Sequence, residues 1–259
     1  MTLTPSQGLH SLYQLGVDHR DVSIGNVLLG TDPEKAAGFI SDLDLSSISE
    51  EAIKVACPND YDTIVKQMKD GEWRTVCDSY PEAAQTSFSN THRAQGTAFF
   101  MARDLLNALT SVRCLRHRPT TSAFTFQHSL CHDLESLVWV VVYAMMIHQR
   151  NIFATTDPEM FELYQEELDH CWAAHAYRNV LISHDHMMVT GCIDDSQDKL
   201  SLWFSDPREA AFFSDAMRLI LHSKMGGQRI TYESLSALFR DHIHLTKEQQ
   251  ALAFDVVSK

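Results

Sequence analysis

Three oxygen-bearing side chains, Asp21, Asn26 and Asp42, stand at the spacing that phosphoryl transfer uses. Asp21 closes His19-Arg20-Asp21, and Asn26 follows five residues later. Phe39-Ile40 then leads into Asp42-Leu43-Asp44. In that chemistry one carboxylate, Asp21, accepts or orients the attacking hydroxyl. The amide oxygen of Asn26 and the second carboxylate, Asp42, hold magnesium ions against the phosphates. Hard oxygen donors suit Mg²⁺, which takes one or two protein carboxylates and completes its shell with water and phosphate. The plainer reading is a polar loop in which an Asp and an Asn fall together by accident.

Such a site needs strand–loop–strand geometry to position it. Val17, Val27-Leu28-Leu29 and Phe39-Ile40 supply three short apolar runs of β type around the motif. Residues 6–15 form a short helix that Gly16 ends. Further on, Leu137 to Ile147 is almost wholly apolar, with Asp133 and Glu135 at its near end. That run is too short to span a bilayer, so it reads as a helix buried all round.

These pieces resemble the C-terminal lobe of a eukaryotic-type protein kinase, specifically the fungal-type protein kinase family. The resemblance rests on His19-Arg20-Asp21-Val22-Ser23 with Asn26, on Asp42-Leu43-Asp44, on Gly96 through Ala102, and on His132-Asp133-Leu134-Glu135-Ser136. It implies an α+β, predominantly α fold: a protein-kinase-like large lobe with short β-hairpins at the catalytic loop and the N-terminal lobe missing. Within one domain, 1–259, it implies a catalytic loop over 17–29 and a metal-binding loop over 39–44. An inserted activation segment over 45–95, a substrate-docking loop over 96–104 and a helical remainder over 105–259 follow. It also implies ATP and Mg²⁺ as cofactors and a protein hydroxyl as acceptor.

Carried onto this chain, the family's catalytic positions are Asp21, Arg20, His19, Ser23 and Thr97. Nucleotide contacts fall to Leu28, Asn26 and Asp42, metal contacts to Asn26 and Asp42, and structural support to Asp133 and Gly96. Asp133 would receive backbone N–H groups of the catalytic loop; alternatively it is a first-turn charge favoured by the helix dipole. Arg20 would pair with a phosphorylated or acidic segment, or make a structural ion pair.

Several positions depart from the family pattern. Ser23 stands where many protein kinases have a phosphate-contacting lysine, and Leu43 and Asp44 replace the Phe and Gly of D-F-G. Asp104 takes the place of a glutamate that pairs with a distal arginine, with a shorter side chain. No G-x-G-x-x-G can be drawn from the glycines, and Ala52-Ile53-Lys54 beside Glu50-Glu51 belongs to a helix rather than a lysine-bearing strand. The expectation is a chain without the nucleotide lid, whose inter-lobe face, with His19 and Leu43, is left apolar and open to association.

Composition sets outer bounds. The 259 residues carry 34 acidic against 21 basic side chains, a net charge of −13, which argues against nucleic acid as partner. Six cysteines form no C-x-x-C, so reduced thiols in an intracellular, cytoplasmic or nuclear protein fit best. The first residues have neither a basic nor an apolar leader segment, and no membrane partner is expected. The histidines offer no metal motif; Cys171 and His175 merely share a helix face.

Caps mark the remaining elements. Ser49 caps a helix over 50–56, and Pro58-Asn59-Asp60 restarts one that ends near Gly71. Ser87, Ser89 and Thr91 near Arg93 read as solvated hydroxyls or phosphorylation sites. Thr156-Asp157-Pro158-Glu159 opens a helix to about Ser183, Ser205-Asp206-Pro207 opens another closed by Gly226-Gly227, and Thr246 with Gln249 boxes the last.

Three functions stay in play. One is transfer from Mg-ATP to a protein Ser or Thr hydroxyl, weak or inactive in this chain alone. The second is a non-catalytic, pseudokinase-like scaffold binding a partner protein. The third is a small-molecule phosphotransferase, disfavoured because the stretches at Gly96 and His132 resemble protein kinases.

Overall fold

The computed structural model describes residues 5–29, 38–43, 46–70, 98–115, 128–172, 176–192, 200, 203–226 and 228–242. Helix α1 (Pro5–Gln14) begins on a proline and ends before Gly16, whose φ of +75° turns the chain into strand β1 (Val17–Asp18). β1 pairs antiparallel with β4 (Ser47–Ile48), Val17 opposite Ile48. Between them β2 (Val27–Leu29) pairs with β3 (Gly38–Ile40), Leu28 opposite Phe39. Two short ribbons therefore frame the loop from His19 to Asn26.

Helices α2 (Glu50–Ala56) and α3 (Tyr61–Asp70) follow. The Ser49 hydroxyl accepts the Ala52 N–H at 3.1 Å, the N-cap that the sequence predicts. Lys54 lies in α2, away from any strand. Next come α4 (Arg103–Leu115), α5 (Leu130–Thr156), α6 (Pro158–Trp172), α7 (Tyr177–Cys192), α8 (Pro207–Gly226) and α9 (Tyr232–His242). The described fold is thus predominantly helical with a few short strands.

α5 is the axis of the core. Leu134, Val138, Val142 and Met146 recur every four residues and are buried, as is Trp139. Around them pack Tyr164 and Leu168 of α6, Met187 of α7, Phe213 and Met217 of α8, and Trp203-Phe204 just before α8. The Tyr164 hydroxyl donates to the Trp203 carbonyl at 2.9 Å, and the Ser205 hydroxyl donates to Gln149 Oε1 of α5 at 2.8 Å. At 27 residues α5 is much longer than the apolar run that marks it, and by length and composition alone it could cross a membrane. In this fold Leu134, Leu137, Val138, Trp139, Val142 and Met146 of this helix are buried in the protein core.

One expected element is divided. The helix expected from Pro158 to about Ser183 ends at Trp172, and α7 starts separately at Tyr177. Both helices pack against each other and into the core, which a single straight rod could not do with Tyr164, Leu168 and Met187 all buried. The Thr246–Gln249 box, the 87–93 hydroxyls, His175, Asp44, Gly96 and Thr97 lie outside the described residues.

Candidate active site

The loop after β1 is held by a carboxylate more than a hundred residues away. Asp133, in the first turns of α5 and 2% exposed, accepts the His19 N–H on Oδ2 at 2.9 Å and the Arg20 N–H on Oδ1 at 3.0 Å. Arg20 has φ +69°, a left-handed conformation that costs a non-glycine residue free energy. The carboxylate fixes the amides of His19 and Arg20, the two that lead into that strained residue. His19 is fully buried, and its Nε2 lies 3.0 Å from the Ser41 carbonyl. This corrects the expectation that His19 opens onto an apolar inter-lobe face: its ring ties the loop to the turn after β3. Its Nδ1 meanwhile accepts the Asp21 N–H at 3.3 Å.

Asn26 binds the pieces together. Its amide Nδ2 donates to the Asp21 carbonyl at 2.9 Å and to Asp21 Oδ2 at 3.1 Å. Its backbone carbonyl accepts the Ser41 N–H at 2.9 Å, next to Asp42. Asp42 has φ +66°, the second left-handed non-glycine residue of the described chain. The structure thus places Asp21, Asn26 and Asp42 on neighbouring turns of one frame. Ser23 is buried, and its carbonyl accepts the N–H groups of Asn26 and Val27, closing the turn between them.

Asn26 uses its amide nitrogen on Asp21, which leaves Oδ1 as its oxygen donor; Asp42 is an exposed carboxylate one residue past Ser41. An amide oxygen and a carboxylate oxygen are the donor types that Mg²⁺ accepts, with water and phosphate filling the shell. The residues present fit that ion. Among the described residues no group of three His, Cys, Asp or Glu side chains gathers as a metal site. Beside the frame, Leu28, Phe39 and Leu43 are apolar and roughly half exposed.

A second buried polar set braces the helical side. Arg103, 3% exposed at the start of α4, pairs through Nη2 with Asp185 of α7. Its N–H donates to Glu135 Oε1 at 2.8 Å. Asp104 is exposed, and the buried ion pair of this segment is the one that its neighbour Arg103 makes with Asp185. The shorter Asp104 points to solvent, and the neighbouring cation takes the buried position. Burial pushes the Glu135 carboxyl up to about 7 against the pull of the Arg103 and Trp139 N–H groups. His184 stacks on Trp139 at 3.8 Å between ring centroids, and its Nε2 lies 2.8 Å from the Phe99 carbonyl. Burial pushes its imidazole down to about 3.

The fungal protein kinase family model matches residues 6–145, more than half of the 259-residue chain, and the chain belongs to that family. No curated protein and no solved structure matches it.

Proposed function

We propose that the chain forms a protein-kinase-like large lobe that binds Mg-ATP and directs its γ-phosphoryl group to a Ser or Thr hydroxyl of a protein. The observation that carries this reading is the bridging by Asn26, which ties Asp21 through its side chain and Ser41-Asp42 through its backbone. In it Asp21 accepts the hydroxyl proton, while Asn26 and Asp42 would hold magnesium. Bound Mg-ATP supplies the phosphoryl group and neutralises the charge that develops on it. Arg20, His19 and Ser23 keep the loop in shape, Leu28 offers an apolar surface to the base, and Thr97 with Gly96 belongs to the docking loop. We place the protein inside the cell, where thiols such as Cys57, Cys131, Cys171 and Cys192 stay reduced.

Binding of the nucleotide is the direct readout of this site. Titration calorimetry with Mg-ATP is expected to give heat for the wild type and none for Asp42→Ala. Heat that survives the substitution unchanged, or no heat from the folded wild type, contradicts the reading. A scaffold that binds a partner protein is the second reading, favoured by the apolar face of Leu28, Phe39 and Leu43.

A further inference from the structure

We propose that His128 is a positioning residue for the catalytic loop, acting through Asp133. The proposal deepens the phosphoryl-transfer reading and rests on it for its functional meaning. Its geometric content stands separately.

The Asp133 carboxylate anchors the loop after β1. It is 2% exposed, and an ionised carboxylate is stable in such a place only when donors surround it. Two donors are the His19 and Arg20 amides, at 2.9 and 3.0 Å. The third is the imidazole of His128, whose Nε2 lies 2.9 Å from Asp133 Oδ1, the same oxygen that holds Arg20. With backbone N–H groups on both oxygens the carboxylate acts as acceptor, so His128 donates from Nε2. Of the three, His128 is the only donor that does not belong to the catalytic loop.

The two oxygens do different work. Oδ2 anchors His19. Oδ1 anchors Arg20, the residue in the left-handed conformation, and shares that oxygen with His128. A carboxylate turned about its Cβ–Cγ bond would carry both oxygens off their amides, and the Arg20 peptide would be released to relax. A donor on Oδ1 from outside the loop, His128, opposes that rotation. It is itself held firmly: 7% exposed, immediately before the Ser129 cap of α5, with its ring 5.2 Å from that of His132. His132 is fixed in turn by the Ser129 N–H, which donates to its Nδ1 at 3.0 Å. Asp18, at the end of β1, adds a further carboxyl within the field of His128, Asp133 and Arg20. His128 therefore links the cap of α5 to the turn that carries Asp21.

The test is hydrogen–deuterium exchange of the full chain, wild type against His128→Leu and His128→Gln, each first shown folded by circular dichroism. Loss of one charge-assisted donor is expected to speed exchange of the His19 and Arg20 amides about tenfold or more in His128→Leu. Amides in the middle of α5, Val138 to Val142, are expected to stay as slow as in the wild type. His128→Gln, whose amide nitrogen reaches about as far as Nε2, is expected to restore protection. Unchanged loop exchange, equal acceleration throughout α5, or no rescue by glutamine overturns the proposal. Should His128→Leu not fold, nitrogen-15 NMR of the wild-type ring decides: a slowly exchanging Nε2 proton supports the bond, and an Nδ1-protonated ring overturns it. Mg-ATP calorimetry on the same samples separates the two claims. A wild type that binds no nucleotide refutes the functional reading, while the exchange data still judge the positioning of the loop.

Discussion

A left-handed backbone at a non-glycine residue costs on the order of 1–3 kcal/mol and persists only where its surroundings hold it. Arg20 and Asp42 both sit there, on either side of Asn26. The bonds that hold Arg20 run to Asp133, so Asp133→Asn is a direct probe. The substitution keeps the shape but removes the charge, and it sets an NH₂ group against one of three N–H donors. A loss of about 3 kcal/mol in urea unfolding is expected, the scale of breaking a buried charged network. Asn26→Ala, which cuts Asp21 loose while leaving the Asn26–Ser41 backbone bond, is expected to weaken Mg-ATP binding at least tenfold with a smaller stability change. That Asp21, Asn26 and Asp42 share one frame is readable in the sequence because the motif they belong to fixes both residue type and spacing. His128, Arg103 and Asp185 are not, since nothing local marks a side chain whose partner is a lone carboxylate or lies 82 positions away.

Helix α7 meets α8 at Gly191. A Cβ placed there would lie 2.6 Å from Met217 Cγ and 3.0 Å from Phe213 Cε1. Gly191→Ala must therefore push the two helices apart or force Met217 off its rotamer. Despite alanine's better helix propensity, a net loss of about 1–3 kcal/mol is expected in thermal or urea unfolding. The caps at Ser49, Asp157 and Asp206 were visible in the sequence because the residues that end helices act locally. The break between α6 and α7 was not visible. It follows from burying Tyr164 and Leu168 together with Met187, a tertiary requirement that overrides a continuous helical pattern. The family resemblance is concentrated in the first 150 residues, and there the buried ion pair runs from Arg103, the neighbour of Asp104, to Asp185.

Across the molecule, three buried groups couple the fold to pH. Burial pushes His132 down to about 4, helped by His128, and His184 down to about 3, so both are neutral in the fold. The unfolded chain takes up those protons first, near 6.5. Their contribution is complete above that pH and is lost as the pH falls toward 4. Glu135 works in the opposite sense. Its folded pKa of about 7 lies above the ordinary 4.5, so its contribution is present at low pH and is lost as the pH rises from 4.5 to 7. Glu135→Gln keeps an oxygen for the Arg103 N–H and cannot ionise. Compared with the wild type, its melting temperature is expected to gain progressively from pH 4.5 to 7 and then level off. A constant difference across that range would show that Glu135 does not titrate in it.

In the proposed function Asp21, Asn26 and Asp42 form one place for a divalent ion and a nucleotide triphosphate. Paramagnetic broadening by Mn²⁺-ATP, an oxygen-seeking stand-in for the magnesium complex, tests it most directly in NMR spectra of the whole chain. Amide signals of residues 19–28 and 41–43 are expected to disappear together at low Mn²⁺-ATP while those of α8 and α9 persist. Broadening that falls elsewhere on this acidic surface, or that spares the Asn26–Asp42 frame, would contradict it.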